Sequence, residues 1–213
     1  MIAKLPRHVR SDFTGYNQMI ELYQRARNIT GESVTFNFSD TLWFEANLSA
    51  VFGAIIELLK NSNKTIYVSD ISPQISDVLQ RNQFLCDFGA LPIYDRFDTI
   101  VQYNTFSPSA DSAFLNYIKD ELLSKRDFPR HSQKLGKKIS ESIFELYENA
   151  RTHGRCRKIH TCGQYYPNKT PKRLDITIVD MGKTIKANVN AFLDKNMKGD
   201  EAIEWALQYG KKS

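Results

Sequence analysis

Two hydrophobic rhythms divide the chain into candidate elements. Within residues 16–28, Met19, Ile20, Leu22 and Tyr23 give one apolar side to a predicted helix, which Gly31 ends. Residues 34–38 alternate apolar and polar side chains, as a strand does, and Ser39 and Asp40 begin a loop. Asn47 stands where it can cap a helix whose core side is Leu48, Val51, Phe52, Ile55, Ile56 and Leu59. Residues 65–69 read as a second strand. Pro73 opens a further helix lined by Ile75, Val78 and Leu79. Residues 84–89 end in a turn at Gly89, and 99–103 form a third strand candidate. Strands alternating with helices predict a βαβ-type sheet.

The pattern then changes. Residues 106–111 read as a linker and helix entry. Ala113, Phe114, Tyr117, Ile118, Leu122 and Leu123 line a helix ending near Ser124, and a basic stretch, 125–138, follows. Residues 139–153 carry apolar side chains at Ile139, Ile143, Leu146, Tyr147 and Ala150, a helical stripe. Residues 158–166 and 173–180 are strand candidates, with a turn bounded by Pro167 and Pro171 between them. Residues 185–194 and 200–208 read as helices. The whole is an α/β (α+β) chain of two expected units, 1–106 and 107–213.

Charge sharpens that division. The 213 residues carry a formal charge of +5, but residues 1–124 hold ten basic and fourteen acidic side chains, a balance of −4. Residues 125–213 hold nineteen basic and ten acidic, a balance of +9. A basic half fits an anionic partner such as a nucleotide, nucleic acid or acidic protein surface, and equally a plain solvated surface. Residues 1–10 lack the apolar run of a secretory signal. The most apolar segment, 49–59, contains Glu57 and falls short of the roughly 20 apolar residues a membrane span needs. A cytoplasmic protein without membrane contact is therefore expected. The odd cysteine count, Cys86, Cys156 and Cys162, suits reduced thiols. His153, Cys156, His160 and Cys162 are zinc-ligand types, but their spacing matches no common finger, and buried single cysteines are the ordinary reading.

On the predicted helix 139–153, Glu141, Glu145, Asn149 and His153 recur every four residues and form one polar row. Spacing alone makes that row a solvated face. Its context adds more, because the helix is followed by two strands and then by Asp180-Met-Gly-Lys-Thr184. This succession resembles the Bergerat-fold ATPases and kinases (the histidine-kinase-like group). Glu145-x-x-x-Asn149-Ala150-x-x-His153 looks like their N-box, and Asp180-x-Gly182 like their first glycine box. The resemblance implies Glu145 as general base and Asn149 as the magnesium ligand. It implies Asp180 as acceptor of the adenine amino group, with Gly182 letting the base approach the backbone. His153 completes the N-box, and Thr184 stands where the family usually has a second glycine. Magnesium keeps several waters and phosphate oxygens, so one protein oxygen suffices for it. ATP and Mg2+ are thus the implied cofactors. The similarity spans about residues 110–213, and no second Gly-x-Gly box follows in this sequence. That fits either a piece of a longer ATPase or a degenerate domain that binds partners.

The first unit resembles the STAS-like domains of anti-anti-sigma-factor type, through strand 34–38, the helix from Asn47, strand 65–69 and the segment NQFLCDFG. Ser69, Asp70 and Ser72 occupy the region of that family's phosphorylated Asp-Ser-x-Gly motif, without its glycine. A STAS-like unit joined to a Bergerat-type unit resembles partner-switching regulators. The implied function is ATP binding in a regulatory protein, with hydrolysis or transfer of phosphate to a protein serine. The alternative is a non-catalytic interaction module of a bacterial regulatory or defence system, whose exposed sheet edge would favour a protein partner or self-association. A nucleic-acid binder has charge and the aromatic residues Phe128, Tyr165 and Tyr166 in its favour, but no recognition motif.

Overall fold

The N-terminal half alternates strand and helix. Strand β1 (Ile2–Lys4) and the short β2 (His8–Val9) lead into helix α1 (Phe13–Arg27). Strands β3 (Ser33–Asn37) and β4 (Trp43–Phe44) precede helix α2 (Ser49–Asn61), strand β5 (Thr65–Ser69) and helix α3 (Pro73–Arg81). The computed structural model describes residues 1–209. Parallel strands β1, β3 and β5 form one sheet in that order, with α1 and α2 as the crossovers that parallel pairing requires. Strands β2 and β4 make a separate two-stranded parallel ribbon. Helix α1 starts earlier than its apolar period suggests because Asp12 caps it, the carboxylate accepting from the Gly15 N–H at 2.8 Å. Ser72 caps α3 with Pro73 in its first turn.

The C-terminal half is antiparallel. It contains β6 (Ile100–Phe106), then α4 (Asp111–Ile118), continued by the π-helical turn Lys119–Leu123. Helix α5 (Gln133–Thr152), strands β7 (Ile159–Tyr166) and β8 (Arg173–Asp180), and helices α6 (Ile185–Leu193) and α7 (Gly199–Tyr209) complete it. The sheet order is β6-β7-β8. Helices α4 and α5 cover one face of it. Phe114, Tyr117, Ile118, Ile143 and Tyr147 pack there against Val101, Ile159, Ile176 and Ile178. The mixed composition is that of an α/β protein, as the alternation of elements predicts.

One strand changes allegiance. The third strand candidate of the first unit, 99–103, falls in strand β6, which pairs with β7 rather than with β5. The boundary expected at residues 106/107 therefore falls just after a strand of the second sheet. Periodicity could not reveal this, because an alternating strand carries no record of its partner.

Helix α2 joins the two halves. Phe52, Ile55, Ile56 and Leu59 belong to the first core, with Phe36, Phe38 and Val34. The row Ser49, Gly53, Glu57, four residues apart, turns toward the second sheet. Asn82 donates to Ser49 Oγ at 2.8 Å. Tyr103 lies so close over Gly53 that a β-carbon there would collide with its hydroxyl. Glu57 reaches Lys158 Nζ at 2.9 Å. An irregularity in the ladder between Val101 and Asn104 turns Tyr103 toward α2, while Val101 and Phe106 remain in the second core. Asn47 does not cap α2 as expected. It lies in a 3-10 turn, Ala46–Leu48, fully buried, and donates to Ser11 Oγ at 2.9 Å and to Thr177 Oγ1 at 2.8 Å.

Glycine at position 53 is therefore a packing requirement. Gly53→Ala gains helix propensity of about 1 kcal/mol but overpacks against a tyrosine that His160 holds in place, a cost of about 1–3 kcal/mol. Urea unfolding should show net destabilisation of Gly53→Ala, and a smaller effect of the same change in a Tyr103→Phe background.

Candidate functional site

Helix α5 positions the first group of predicted site residues. Ser132 caps it, its hydroxyl accepting from the Leu135 N–H at 3.2 Å. Its buried row, Ile143, Tyr147 and Ala150, faces the sheet and fixes the rotation of the helix. That rotation leaves Glu145, Asn149 and His153 exposed in one line. Glu145 and His153 are eight residues apart, roughly 12 Å along the axis.

The second group follows β8. Asp180 ends that strand, and its Oδ1 accepts from the Gly182 N–H at 2.8 Å. The turn is clamped to the C-terminal end of α5: Lys183 N donates to Gly154 O at 2.6 Å, and Asn188 Nδ2 to His153 O at 2.7 Å. The approach is close enough to need glycine on both sides. A β-carbon on Gly154 would lie 2.7 Å from Asp180 Oδ1, and one on Gly182 would strike the Gly154 carbonyl oxygen. Thr184 is occupied differently from the glycine it stands in for. Its hydroxyl accepts from the Ala187 N–H at 3.2 Å and so caps α6.

The structure thus brings His153, Asp180, Gly182 and Thr184 to one end of α5, with Asn149 one turn back and Glu145 two turns back. A groove of about 560 Å³ opens beside them. Leu146 and Ala150 of α5, Tyr16 and Ile20 of α1, and the edge of β8 from Ile176 to Asp180 line it. Its walls are mainly apolar and its end is a carboxylate. Basic side chains nearby are unequal. Arg151 is committed to Asp111 at 3.0 Å and Glu148 at 3.1 Å, and Lys137 pairs with Glu141 at 3.6 Å. Lys134, Lys138, Arg155, Lys183 and Lys186 are exposed.

The four zinc-type residues do not converge. His153 is exposed at the end of α5, Cys156 is buried in the second core, and His160 and Cys162 face α2. No group of three or more His, Cys, Asp or Glu among the described residues is arranged to hold a metal ion. Burial pushes the Cys162 thiol up to about 12 and raises that of Cys156, so both stay protonated near neutral pH.

A polar cluster that sequence reasoning missed lies on the other face of the second sheet. His160 is buried, its Nδ1 3.0 Å from the Tyr103 hydroxyl and its Nε2 3.3 Å from Glu57 Oε2. Burial raises the Tyr103 phenol well above its ordinary range, which keeps that hydroxyl protonated. The hydroxyl thus donates to Nδ1, and the neutral ring carries its own proton on Nε2, facing the Glu57 carboxylate. The cluster's sequence signals are Glu57, a lone acid within an apolar helix, and His160, which reads there only as a zinc-ligand type.

The chain matches no protein-family model, no curated protein and no solved structure. Among the described residues no helix is long and apolar enough to cross a membrane.

His160 carries a pH dependence. Burial holds its imidazole below the usual value despite the pull of Glu57. The unfolded chain therefore binds the proton first as the pH falls. The contribution is complete above about pH 6.5 and is lost as the pH drops from there toward the depressed folded value. Urea midpoints measured between pH 7.5 and 5.5 should fall with acidification in the native chain, with a shallower slope in His160→Gln.

Proposed function

We propose that the chain is an ATP-binding regulatory protein of the Bergerat type, with the nucleotide held in the groove between α5 and the edge of β8, beside the turn that follows that strand. The observation that carries this reading is the clamp of the Asp180–Gly182 turn onto the end of α5, because it joins the two motif halves that sequence alone leaves thirty residues apart. The residues fit the ligand. One Asp180 oxygen is used by the Gly182 N–H, and the other is left to accept an adenine amino group. The apolar groove beside it has a volume within the range of about 300–1,000 Å³ usual for small-molecule sites. Asn149 offers one side-chain oxygen to a largely hydrated magnesium ion. Exposed Lys183 and Lys186 favour phosphate by charge. Glu145 is the proposed general base toward a water or a protein hydroxyl.

A second reading, a non-catalytic protein-interaction module, is favoured by a separate observation. Helices α6 and α7 pack on each other, through Phe192 and Trp205 at 5.8 Å, while Ile185, Phe192, Ile203 and Leu207 remain exposed. A regulatory partner of apolar surface would suit that hairpin.

Calorimetric titration separates the readings. The native chain should release heat with Mg-ATP, and Asp180→Asn and Asn149→Ala should each weaken binding about tenfold or more, as loss of a charged or metal-linked hydrogen bond does. Glu145→Ala should leave binding intact and abolish any turnover. If the native chain gives neither heat nor a thermal shift with Mg-ATP, the nucleotide reading is wrong and the interaction module stands.

A further inference from the structure

We infer that β8 is a self-pairing edge, and that two copies of the chain join there antiparallel about a two-fold axis through Ile176. Among the described residues no strand pairs with the outer side of β8, so its row of backbone donors and acceptors is open along Arg173–Asp180. The edge forms the floor of the groove already described, with Leu146 and Ala150 on one wall and Tyr16 and Ile20 on the other. Tyr16 is 36% exposed and Ile20 and Leu146 are each 53% exposed, an apolar lining that the chain alone does not cover.

The occupant follows from the charge order of the strand. A two-fold axis perpendicular to the sheet keeps every side chain on its own face. Residues opposed across the axis must then be separated by an even number of positions. With the axis at Ile176, Lys172 stands opposite Asp180 of the second copy, Leu174 opposite Ile178, and Ile176 opposite itself. The even-numbered residues share the face on which Leu174, Ile176 and Ile178 meet the second core. Apolar side chains thus meet apolar ones beside that core, and each end of the ribbon closes with a pair of opposite charges. Moving the axis to Thr177 sets Leu174 against Asp180. Moving it to Asp175 sets two aspartates face to face, and like charges directly opposed destabilise a ladder. Among registers that pair the length of β8, charge complementarity therefore favours the axis at Ile176, and the partner it fits is a second copy of this chain.

The flanking helices allow it. Helix α5 lines the groove over the C-terminal half of β8, from Ile176 to Asp180. The two-fold sets the partner's helix over the opposite half, so the two do not compete for one space. Each copy's residues 172–176 enter the groove of the other, where Leu174 meets the wall formed by Leu146 and Ala150.

Sedimentation velocity without nucleotide tests this independently of the ATP reading. The native chain should sediment as a dimer at about 100 µM. Lys172→Asp and Asp180→Lys should each weaken dimerisation about tenfold, since each sets like charges at both ends of the ribbon. An equimolar mixture of the two variants should recover the dimer, because a mixed pair restores both opposite-charge contacts. A monomeric native chain, variants that associate as tightly as the native chain, or a mixture that stays monomeric overturns the proposal. Should either variant lose its native circular dichroism, mild oxidation of Ile176→Cys decides. That variant should cross-link between copies, whereas Ile178→Cys, whose two copies lie roughly 14 Å apart along the ribbon, should not. Equal cross-linking of both, or of neither, overturns the register.

Discussion

Everything in this molecule is arranged around a helix that is buried on two sides. Most of the first turns of α2 are inaccessible, and its two faces are chemically different. The face toward β3 and β5 is large and apolar, with Phe52 packed edge-on to Phe36 and Phe38. The face toward β6 and β7 is small and polar, with Ser49, Gly53 and Glu57 meeting Asn82, Tyr103 and His160. A helix serving two sheets must bring one of them unusually close, and the short side chains at 49 and 53 make that approach feasible. Groups enclosed there lose water and need partners. That is why Asn47, Asn82, Thr177 and His160 have specific neighbours across the seam. Asn47 to Thr177 and Asn82 to Cys162 both cross from one half to the other. The acidic and basic halves are thus not free to part.

This seam explains what could and could not be read from the chain. Strand 173–180 and the start of α3 at Pro73 were legible because each rests on local chemistry, a period of two or a capped proline. Helix α5 was legible from Ile143, Tyr147 and Ala150, although, capped by Ser132, it starts at Gln133, six residues before the predicted 139. The short strands β1, β2 and β4 left no pattern, being two or three residues long. Strand β6 was found as a third strand candidate without a partner, and its pairing with β7 and the change of phase that turns Tyr103 toward α2 are invisible without the ladder. Asn47 read as a helix cap because cap preference is a local rule, whereas its partners lie 36 and 130 residues away. Local rules succeed where the partner is local.

The candidate site shows the same division. The row Glu145, Asn149, His153 follows from helical spacing alone, and the clamp between Gly154 and Gly182 does not. Gly154 looks like an ordinary punctuator in sequence, and Gly182 reads there as the glycine of a nucleotide box rather than as a partner of Gly154. Together they let a turn and a helix end touch at backbone distance, and neither tolerates a β-carbon there. Thr184 is the informative departure. Its hydroxyl is spent on capping α6, so the backbone freedom that a glycine would provide at that point is exchanged for a fixed helix start.

Strand β8 places two demands on one carboxylate. Asp180 has two oxygens, and the Gly182 N–H occupies one of them. The remaining oxygen is the acceptor offered to an adenine amino group in the nucleotide reading, and the partner of Lys172 in the paired edge. The groove that would admit a base is also the space that residues 172–176 of a second copy would enter. If both proposals hold, both occupants would use the same carboxylate and the same groove, so a chain holding a nucleotide and a chain paired through β8 would be alternative states rather than successive additions. Binding that prefers one state shifts the population away from the other by its differential affinity alone, without any further moving part.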